Sequence, residues 1–137
     1  MKDRISLLLL FCSCSFIKTI AQTNSEDCVK NLKIGEFRYV GEFGPNSILR
    51  DKKKQIERLS NGVSLVVSKV KWLNDFEYEL KVKKLMNCPK TTSVKKGDIM
   101  RVKITECSST SYKCTIQYSN LTVADIEYQI IMSGSDE

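Results

Sequence analysis

The chain contains no histidine, although it has 137 residues, six cysteines and 16 acidic side chains. Ser-His-Asp and Cys-His mechanisms need an imidazole as the general base, and a His-ligated zinc or iron site needs imidazole ligands. The composition therefore excludes histidine-dependent catalysis, and with it most extracellular hydrolase chemistry. The sequence also has no glycine-rich phosphate loop, no calcium loop and no Cys-x-x-Cys pair, so we expect no cofactor and no metal site.

Carboxylates are the remaining candidates for acid and base chemistry, because paired carboxylates supply the general acid and the general base of glycoside hydrolysis. A carboxylate-dependent hydrolase would draw first on Asp75, Glu77, Asp98 and Glu106. However, Glu77 and Glu79 fall on the polar side of an alternating strand pattern, where they are expected to pair with lysines across the sheet. We therefore predict that the protein is not an enzyme, with a small hydrolase as the alternative.

Two aromatic residues are candidates for ligand contact. Trp72 is the only tryptophan, and Tyr39 lies at the end of a predicted strand. An aromatic side chain at the mouth of a barrel can stack on a ligand, but such residues more often pack in or beside a core. We expect Trp72 to pack beside Val70 and Phe76, and the tyrosines to pack in the core with their hydroxyls at its rim.

The elements that would position these residues follow an export signal. A basic start precedes an apolar run from Ile5 to Ile17, and Thr19-Ile20-Ala21 offers small side chains to a signal peptidase. The apolar run is shorter than the roughly 20 residues that a membrane-spanning helix needs. We predict a signal peptide over residues 1–21 and a secreted or periplasmic chain, residues 22–137, that forms a single β domain without an integral membrane span.

A lipoprotein signal is the alternative to this secretory leader. In that case Cys12 or Cys14 would become the lipid-bearing first residue of an outer-membrane lipoprotein. Phe11 stands directly before Cys12, where a small residue is needed, and the same bulky residue lies in the segment before Cys14. We favour the secretory leader, which is removed together with both cysteines.

Basic residues exceed acidic residues by six in the whole chain. They occur in short groups such as Lys52-Lys53-Lys54 and Lys95-Lys96, with acidic residues between the groups. This distribution is typical of a solvated surface, and no cluster of arginine and aromatic residues accompanies it. We therefore predict no nucleic-acid partner.

Four cysteines follow the leader: Cys28, Cys88, Cys107 and Cys114. An even number in an oxidising compartment indicates two disulfides, and four cysteines allow three pairings. Close spacing favours Cys107 with Cys114 across a turn, which leaves Cys28 with Cys88. In the flanking strands, however, Cys107 is out of step with Cys114 unless a bulge or the loop absorbs one residue, so the other pairings stay open.

Alternation of apolar and polar residues in short runs, separated by turn residues, predicts an antiparallel sheet. The clearest run places Phe76, Tyr78, Leu80 and Val82 on one face and charged residues on the other. No stretch predicts a helix, and residues 23–27 are expected to be a frayed start. Eight strands are predicted: Gly35–Tyr39, Ser47–Arg50, Gln55–Leu59, Val63–Trp72, Phe76–Lys83, Ile99–Glu106, Tyr112–Ser119 and Thr122–Met132.

Eight strands in sequence would leave two exposed sheet edges, which closure into a barrel removes. We predict an all-β fold in which an antiparallel eight-stranded meander closes into a small lipocalin-like barrel. The interior of such a barrel is filled by side chains or holds one small ligand. The predicted function is binding of a small apolar molecule or of another envelope protein, or a structural role. Gly35-Glu36-Phe37 is loosely similar to the Gly-x-Trp start of lipocalins.

Much of the chain up to Ile104 resembles a group of small exported bacterial proteins of unknown function, some of which carry a DNA topoisomerase name. The most specific part is Trp72-Leu73-Asn74-Asp75. Members often carry a second cysteine where this chain has Phe76, so the resemblance does not identify the partner of Cys28. It implies export and a β domain, and no activity. The similar segments are Cys28–Phe37, Ile48–Arg50, Gln55–Glu57 and Lys69–Leu80.

Overall fold

The computed structural model describes residues 25–41, 45, 47–120 and 126–134. The signal peptide predicted over residues 1–21, with Cys12 and Cys14, lies outside the described residues. Among the residues that are described, no helix has the length and apolar character needed to cross a bilayer.

Eight antiparallel strands follow one another around a closed barrel, and β1 pairs with β8 to complete it. At this seam Phe37 lies opposite Met132, and Tyr39 lies opposite Ile130. The predicted all-β fold, an eight-stranded meander closed into a barrel, is confirmed. The strands are β1 Gly35–Tyr39, β2 Ser47–Arg50, β3 Lys54–Arg58, β4 Leu65–Asn74, β5 Glu77–Met86, β6 Ile99–Cys107, β7 Ser111–Tyr118 and β8 Ile126–Met132.

The alternation of β5 shows how the sequence sets the two faces of the sheet. Tyr78, Leu80 and Val82 are buried inside the barrel, while Lys81 and Lys83 between and beyond them are exposed. Since side chains alternate along a strand, a slip of one residue would place the charged positions in the core. The register is therefore fixed by burial.

The turn between β3 and β4 forms at the predicted Ser60-Asn61-Gly62. Gly62 has a φ of +74°, a conformation that glycine adopts without a steric penalty. The Asn61 side-chain oxygen accepts hydrogen bonds from the backbone amides of Val63 and Ser64, at 3.1 and 2.9 Å. These bonds hold the turn at the end of the barrel that carries the cavity described below.

A helix, α1 Ser25–Lys33, precedes the barrel. The prediction of a frayed start without a helix is wrong. Of its side chains, Cys28 and Leu32 are almost fully buried, at 3% and 0% exposure. They stand four residues apart, as positions on one face of a helix do, but nine residues are too few for a helical period to be recognised in the sequence. A helix this short gains its stability from tertiary packing.

A disulfide joins Cys28 of α1 to Cys107 at the end of β6, with the Cα atoms 6.1 Å apart. The favoured pairings, Cys107 with Cys114 and Cys28 with Cys88, are therefore wrong. The bulge considered in the sequence is present, as a register shift between Ile104 and Glu106. The shift places Cys107 opposite Tyr112, while Cys114 lies opposite Ile104, so Cys107 and Cys114 are not cross-strand neighbours.

Cys88 and Cys114 are free thiols. Cys114 is completely buried in the barrel, and this burial raises the pKa of its thiol to about 12. Cys88 is half-buried, and its sulfur donates weak hydrogen bonds to the backbone oxygens of Leu65 and Met86. The disulfide attaches α1 to the barrel and is consistent with an oxidising compartment.

Candidate functional site

A cavity of about 430 Å³ occupies one end of the barrel. This end carries the β3–β4 turn and the β5–β6 loop, and the helix lies at the opposite end. Residues 59–61 of the β3–β4 turn and residues 91–94 of the β5–β6 loop contribute to the cavity wall. Apolar side chains from the four consecutive strands β4 to β7 also line it, namely Val66, Leu80, Met100 and Ile116.

Three tyrosines line the same cavity: Tyr39 from β1, Tyr118 from β7 and Tyr128 from β8. The rings of Tyr39 and Tyr128 meet edge to face, with centroids 5.2 Å apart. Burial, followed by the nearby charge of Glu57, raises the pKa of Tyr39 well above its usual value. Burial, followed by the neighbouring Tyr128, likewise raises the pKa of Tyr118. The phenols of Tyr39 and Tyr118 are therefore neutral at physiological pH, and both residues line the cavity.

Glu57 is the acidic group of the cavity. It lies on β3, whose alternate residues Gln55 and Glu57 face the interior, and only 8% of it is exposed. Gln55 Nε2 donates a short hydrogen bond to Glu57 Oε1. Burial raises the pKa of the Glu57 carboxyl, although this hydrogen bond and the positive charge of Arg50 act in the opposite direction.

Arg50 lies deeper in the barrel and is 1% exposed. Its Nε donates to Gln55 Oε1 at 2.6 Å, and its Nη1 donates to the backbone oxygen of Leu32 in α1 at 2.8 Å. Its Nη2 donates to the hydroxyls of Tyr78 and Tyr112, at 2.8 and 2.9 Å. Gln55 therefore connects Arg50 to Glu57, and each guanidinium nitrogen has a partner.

The Arg50 guanidinium is also surrounded by aromatic rings. Its Cζ lies 4.9 Å from the ring centroid of Phe37, 4.7 Å from that of Tyr78 and 5.9 Å from that of Tyr112. Burial by itself lowers the pKa of Arg50, but Tyr112 and Tyr78 outweigh it, and the net pKa is raised. Arg50 is thus a permanent buried cation, stabilised by cation–π contacts and hydrogen bonds.

The two aromatic candidates lie at different ends of the barrel. Tyr39 lines the cavity, whereas Trp72 is not among the residues that line it. The Trp72 ring lies 4.6 Å from the Tyr78 ring, and the Nζ atom of Lys33 in α1 lies 5.3 Å from its centroid. Trp72 therefore packs between the barrel and the helix, while Phe76 is largely exposed.

The candidate carboxylates form surface ion pairs or support turns. Asp75 pairs with Lys33, and Glu106 pairs with Lys113, both at 3.0 Å. Asp98 accepts hydrogen bonds from the backbone amide of Lys95 and from Asn120 Nδ2. None of the four candidates is among the residues that line the cavity. Within the described part of the chain, no three Cys, Asp or Glu residues lie close enough together to hold a metal ion.

Glu77 and Glu79 are cross-strand partners of Arg101, as side chains on the polar face of a sheet should be. Glu79 Oε1 lies 2.8 Å from Arg101 Nη2, and Glu77 Oε1 lies 3.8 Å from Arg101 Nε. The hydrogen bond from Arg101 is the main cause that lowers the pKa of Glu79. The expected lysines are cross-strand neighbours, with Lys103 opposite Glu77 and Lys71 opposite Glu79, and Arg101 adds the ion pairs.

Arg50, Gln55 and Glu57 were not predicted from the sequence as interior residues. The signal that could have located them is the alternation itself. Ile48 is buried, so Arg50 must share its face, and the antiparallel partner of Arg50 is Gln55. The usual expectation that apolar residues face the core would place Leu49 inside and Arg50 outside, whereas Leu49 is exposed and Arg50 is buried.

No protein-family model, curated protein or solved structure matches this chain. The cavity and the residues that line it, Glu57 among them, are therefore the features that bear on function.

Proposed function

We propose that this protein is a secreted or periplasmic binding protein, without enzymatic activity, that holds one small and largely apolar molecule inside a lipocalin-like barrel. The observation that carries the proposal is the cavity of about 430 Å³ beneath the loops of one barrel end. Cavities of roughly 300 to 1,000 Å³, lined by apolar and aromatic side chains with few polar groups, are typical of small-molecule sites.

The composition of the wall supports this proposal. Val66, Leu80, Met100 and Ile116 provide an apolar surface, and the tyrosine rings extend it toward the loops. Burial of apolar ligand surface here would contribute about 25 cal/mol for each Å² removed from water. Buried side chains of the Arg50 network and Leu32 of the helix lie toward the opposite end, and the cavity shows that the interior is only partly filled by side chains.

Two alternatives to this function have less support. A carboxylate-dependent hydrolase would need two acids facing one substrate, whereas Asp75 and Glu106 are paired with lysines on the surface. Recognition of another envelope protein would use the outer surface or the loops. The cavity favours the small ligand over both.

Binding of N-phenyl-1-naphthylamine, an uncharged fluorescent probe, tests the proposed function. We expect a saturable rise in its fluorescence at a stoichiometry of one. Ile116→Trp, which places an indole in the cavity, should weaken binding at least about tenfold. Gln117→Trp is the matched control, because Gln117 is the next residue of β7 and is exposed. Binding that Ile116→Trp leaves unchanged, or absence of binding together with no ligand retained in native mass spectrometry, would contradict the proposal.

The hydrolase alternative is tested on the same preparation. Turnover of p-nitrophenyl esters or glycosides that one carboxylate substitution abolishes, for example Asp75→Asn or Glu77→Gln, would establish the enzyme in place of the binding protein. We expect no turnover above that of buffer.

A further inference from the structure

The charge of the cavity wall has one sign. Glu57 is the one charged residue among those lining the cavity, and no lysine or arginine lines it in the described part of the chain. The whole chain has 22 basic residues, so their absence from this wall sets the cavity apart from the outer surface. The described cavity wall therefore offers one acidic group, Glu57, and no basic side chain to a molecule that enters.

The negative charge of the Glu57 carboxylate has no directly bonded cation among the described residues. Its hydrogen bond comes from the neutral amide of Gln55. Arg50 acts on Glu57 through its charge but makes no direct hydrogen bond to it, because its nitrogens are engaged by Gln55, Leu32 and two tyrosines. A buried carboxylate without a cation is costly, and a cationic ligand would remove that cost.

The tyrosines add a second preference for a cation. Tyr39, Tyr118 and Tyr128 line the cavity together with Glu57. After burial, the charge of Glu57 is among the causes that raise the pKa of Tyr39 and Tyr118, so it lies near both phenols. The faces of aromatic rings attract ammonium groups, most strongly where water is excluded. The phenolic oxygens can also accept hydrogen bonds from an ammonium group.

We propose that the cavity takes ligands that carry a protonated amine on an apolar body, and that Glu57 receives the amine. This inference rests on the proposed binding function and names its ligand class. The apolar body would contact Leu80, Met100 and Ile116, and the ammonium group would lie between Glu57 and the tyrosines. Carboxylate ligands would be repelled by Glu57 and find no cation to pair with.

Calorimetry with two matched series tests the inference at neutral pH. The first series is 2-phenylethylamine, 2-phenylethanol and 3-phenylpropionate, and the second is n-octylamine, 1-octanol and octanoate. In at least one series we expect the amine to bind about tenfold or more tighter than the alcohol, as a charge-assisted hydrogen bond provides, and the carboxylate to bind most weakly.

Glu57→Gln should reduce the preference for the amine over the alcohol to less than about threefold while leaving the affinity for the alcohol nearly unchanged. Glu79→Gln is the matched control, because it removes an equal charge from the outer face of β5, where Glu79 pairs with Arg101. It should retain the preference. If Glu57→Gln does not fold, the ranking of the three ligands in the wild type and its loss in Ile116→Trp decide the question.

The outcomes separate the two proposals. Binding of N-phenyl-1-naphthylamine in the cavity, with alcohols or carboxylates bound as tightly as amines in both series, overturns the ligand class and leaves the binding function standing. A preference for amines that persists in Glu57→Gln also overturns it. Absence of binding by the fluorescent probe and by all six ligands overturns both the binding function and the ligand class.

Discussion

Arg50 Nη2 donates a hydrogen bond to the Tyr78 hydroxyl at 2.8 Å while the Arg50 Cζ atom lies 4.7 Å from the centroid of the same ring. One buried cation thus uses both the polar and the π surface of one tyrosine. The same guanidinium also holds the backbone of α1 through Leu32. Arg50 is therefore the point at which the barrel interior and the helix are joined by polar contacts.

Arg50→Met should destabilise the fold by about 3 to 5 kcal/mol, because it leaves Gln55, Leu32 and two tyrosine hydroxyls without their buried donor. The free energy of unfolding in urea measures the effect. Arg58→Met is the control, since Arg58 is exposed and donates to the backbone oxygen of Gly62. A loss below about 1 kcal/mol in Arg50→Met would show that the network adds little to stability.

Removing the disulfide through Cys28→Ser with Cys107→Ser should lower the free energy of unfolding by about 4 kcal/mol. The cross-link spans 79 residues, and the loss of chain entropy that a disulfide imposes on the unfolded state grows with this span. Cys88→Ser, which leaves the disulfide intact, should change stability by less than about 1 kcal/mol. Peptide mapping without reduction should recover Cys28 joined to Cys107, and a Cys107 to Cys114 peptide would contradict the pairing.

Glu57 should make stability depend on pH in an unusual direction for an acid. Its pKa is raised by burial from the ordinary value of 4.5, so the folded state binds the proton more tightly than the unfolded chain does. This contribution is fully present below the ordinary pKa and is lost as pH rises through the raised value. Glu57→Gln should therefore be more stable than the wild type at pH 8, and the difference should vanish by about pH 4.

Glu79→Gln provides the opposite sign as a control. The pKa of Glu79 is lowered, chiefly by the hydrogen bond from Arg101, so its contribution is present above the ordinary pKa and is lost on acidification. This substitution should reduce stability slightly at neutral pH and have no effect in acid. Urea midpoints of both variants across the pH range provide the measurement. Equal pH profiles for the two variants would contradict a buried Glu57 carboxyl with a raised pKa.

Trp72→Ala should destabilise the fold by about 3 to 5 kcal/mol, as expected for emptying a packed aromatic site. Trp72 packs against Tyr78 and beneath Lys33, and its indole nitrogen is buried. We expect slight quenching of its fluorescence by iodide. Val63→Ala, at an exposed apolar position, is the control for loss of apolar surface. A fully stable Trp72→Ala protein with readily quenched wild-type fluorescence would place this residue at an open surface.

The eight strands were predictable because burial on one face enforces a period of two, which Tyr78, Leu80 and Val82 display directly. Closure of the barrel followed from the cost of exposed edges, without information about β1 and β8 individually. The helix was not predictable, since nine residues, with Cys28 and Leu32 buried on one face, are too few to display a helical period. The disulfide was missed for the same reason: its correct partner lies on an element that the pattern did not reveal.

Glu57 in the cavity wall and Arg50 deeper in the barrel were missed because their burial contradicts the usual assignment of faces. Arg50 and Glu57 read as solvent-facing residues, and Leu49 reads as core. Only the three-dimensional arrangement shows that Gln55 links the two charges and that Tyr78 and Tyr112 satisfy the guanidinium. Hydrogen bonds between residues distant in sequence, such as those from Arg50 to Tyr78 and Tyr112, leave no trace in the local alternation of apolar and polar residues. Tyr39, by contrast, was a candidate for ligand contact and lines the cavity.

The pairing of β1 with β8 has a kinetic consequence. Phe37 and Met132 meet at the seam from opposite ends of the described chain, so the last pairing to form must overcome the largest loop-closure entropy. The Cys28–Cys107 cross-link holds the start of β1 near β6 and β7 even in the unfolded chain. The oxidised chain should therefore refold faster than the reduced chain, while β-hairpins of neighbouring strands should form at similar rates in both.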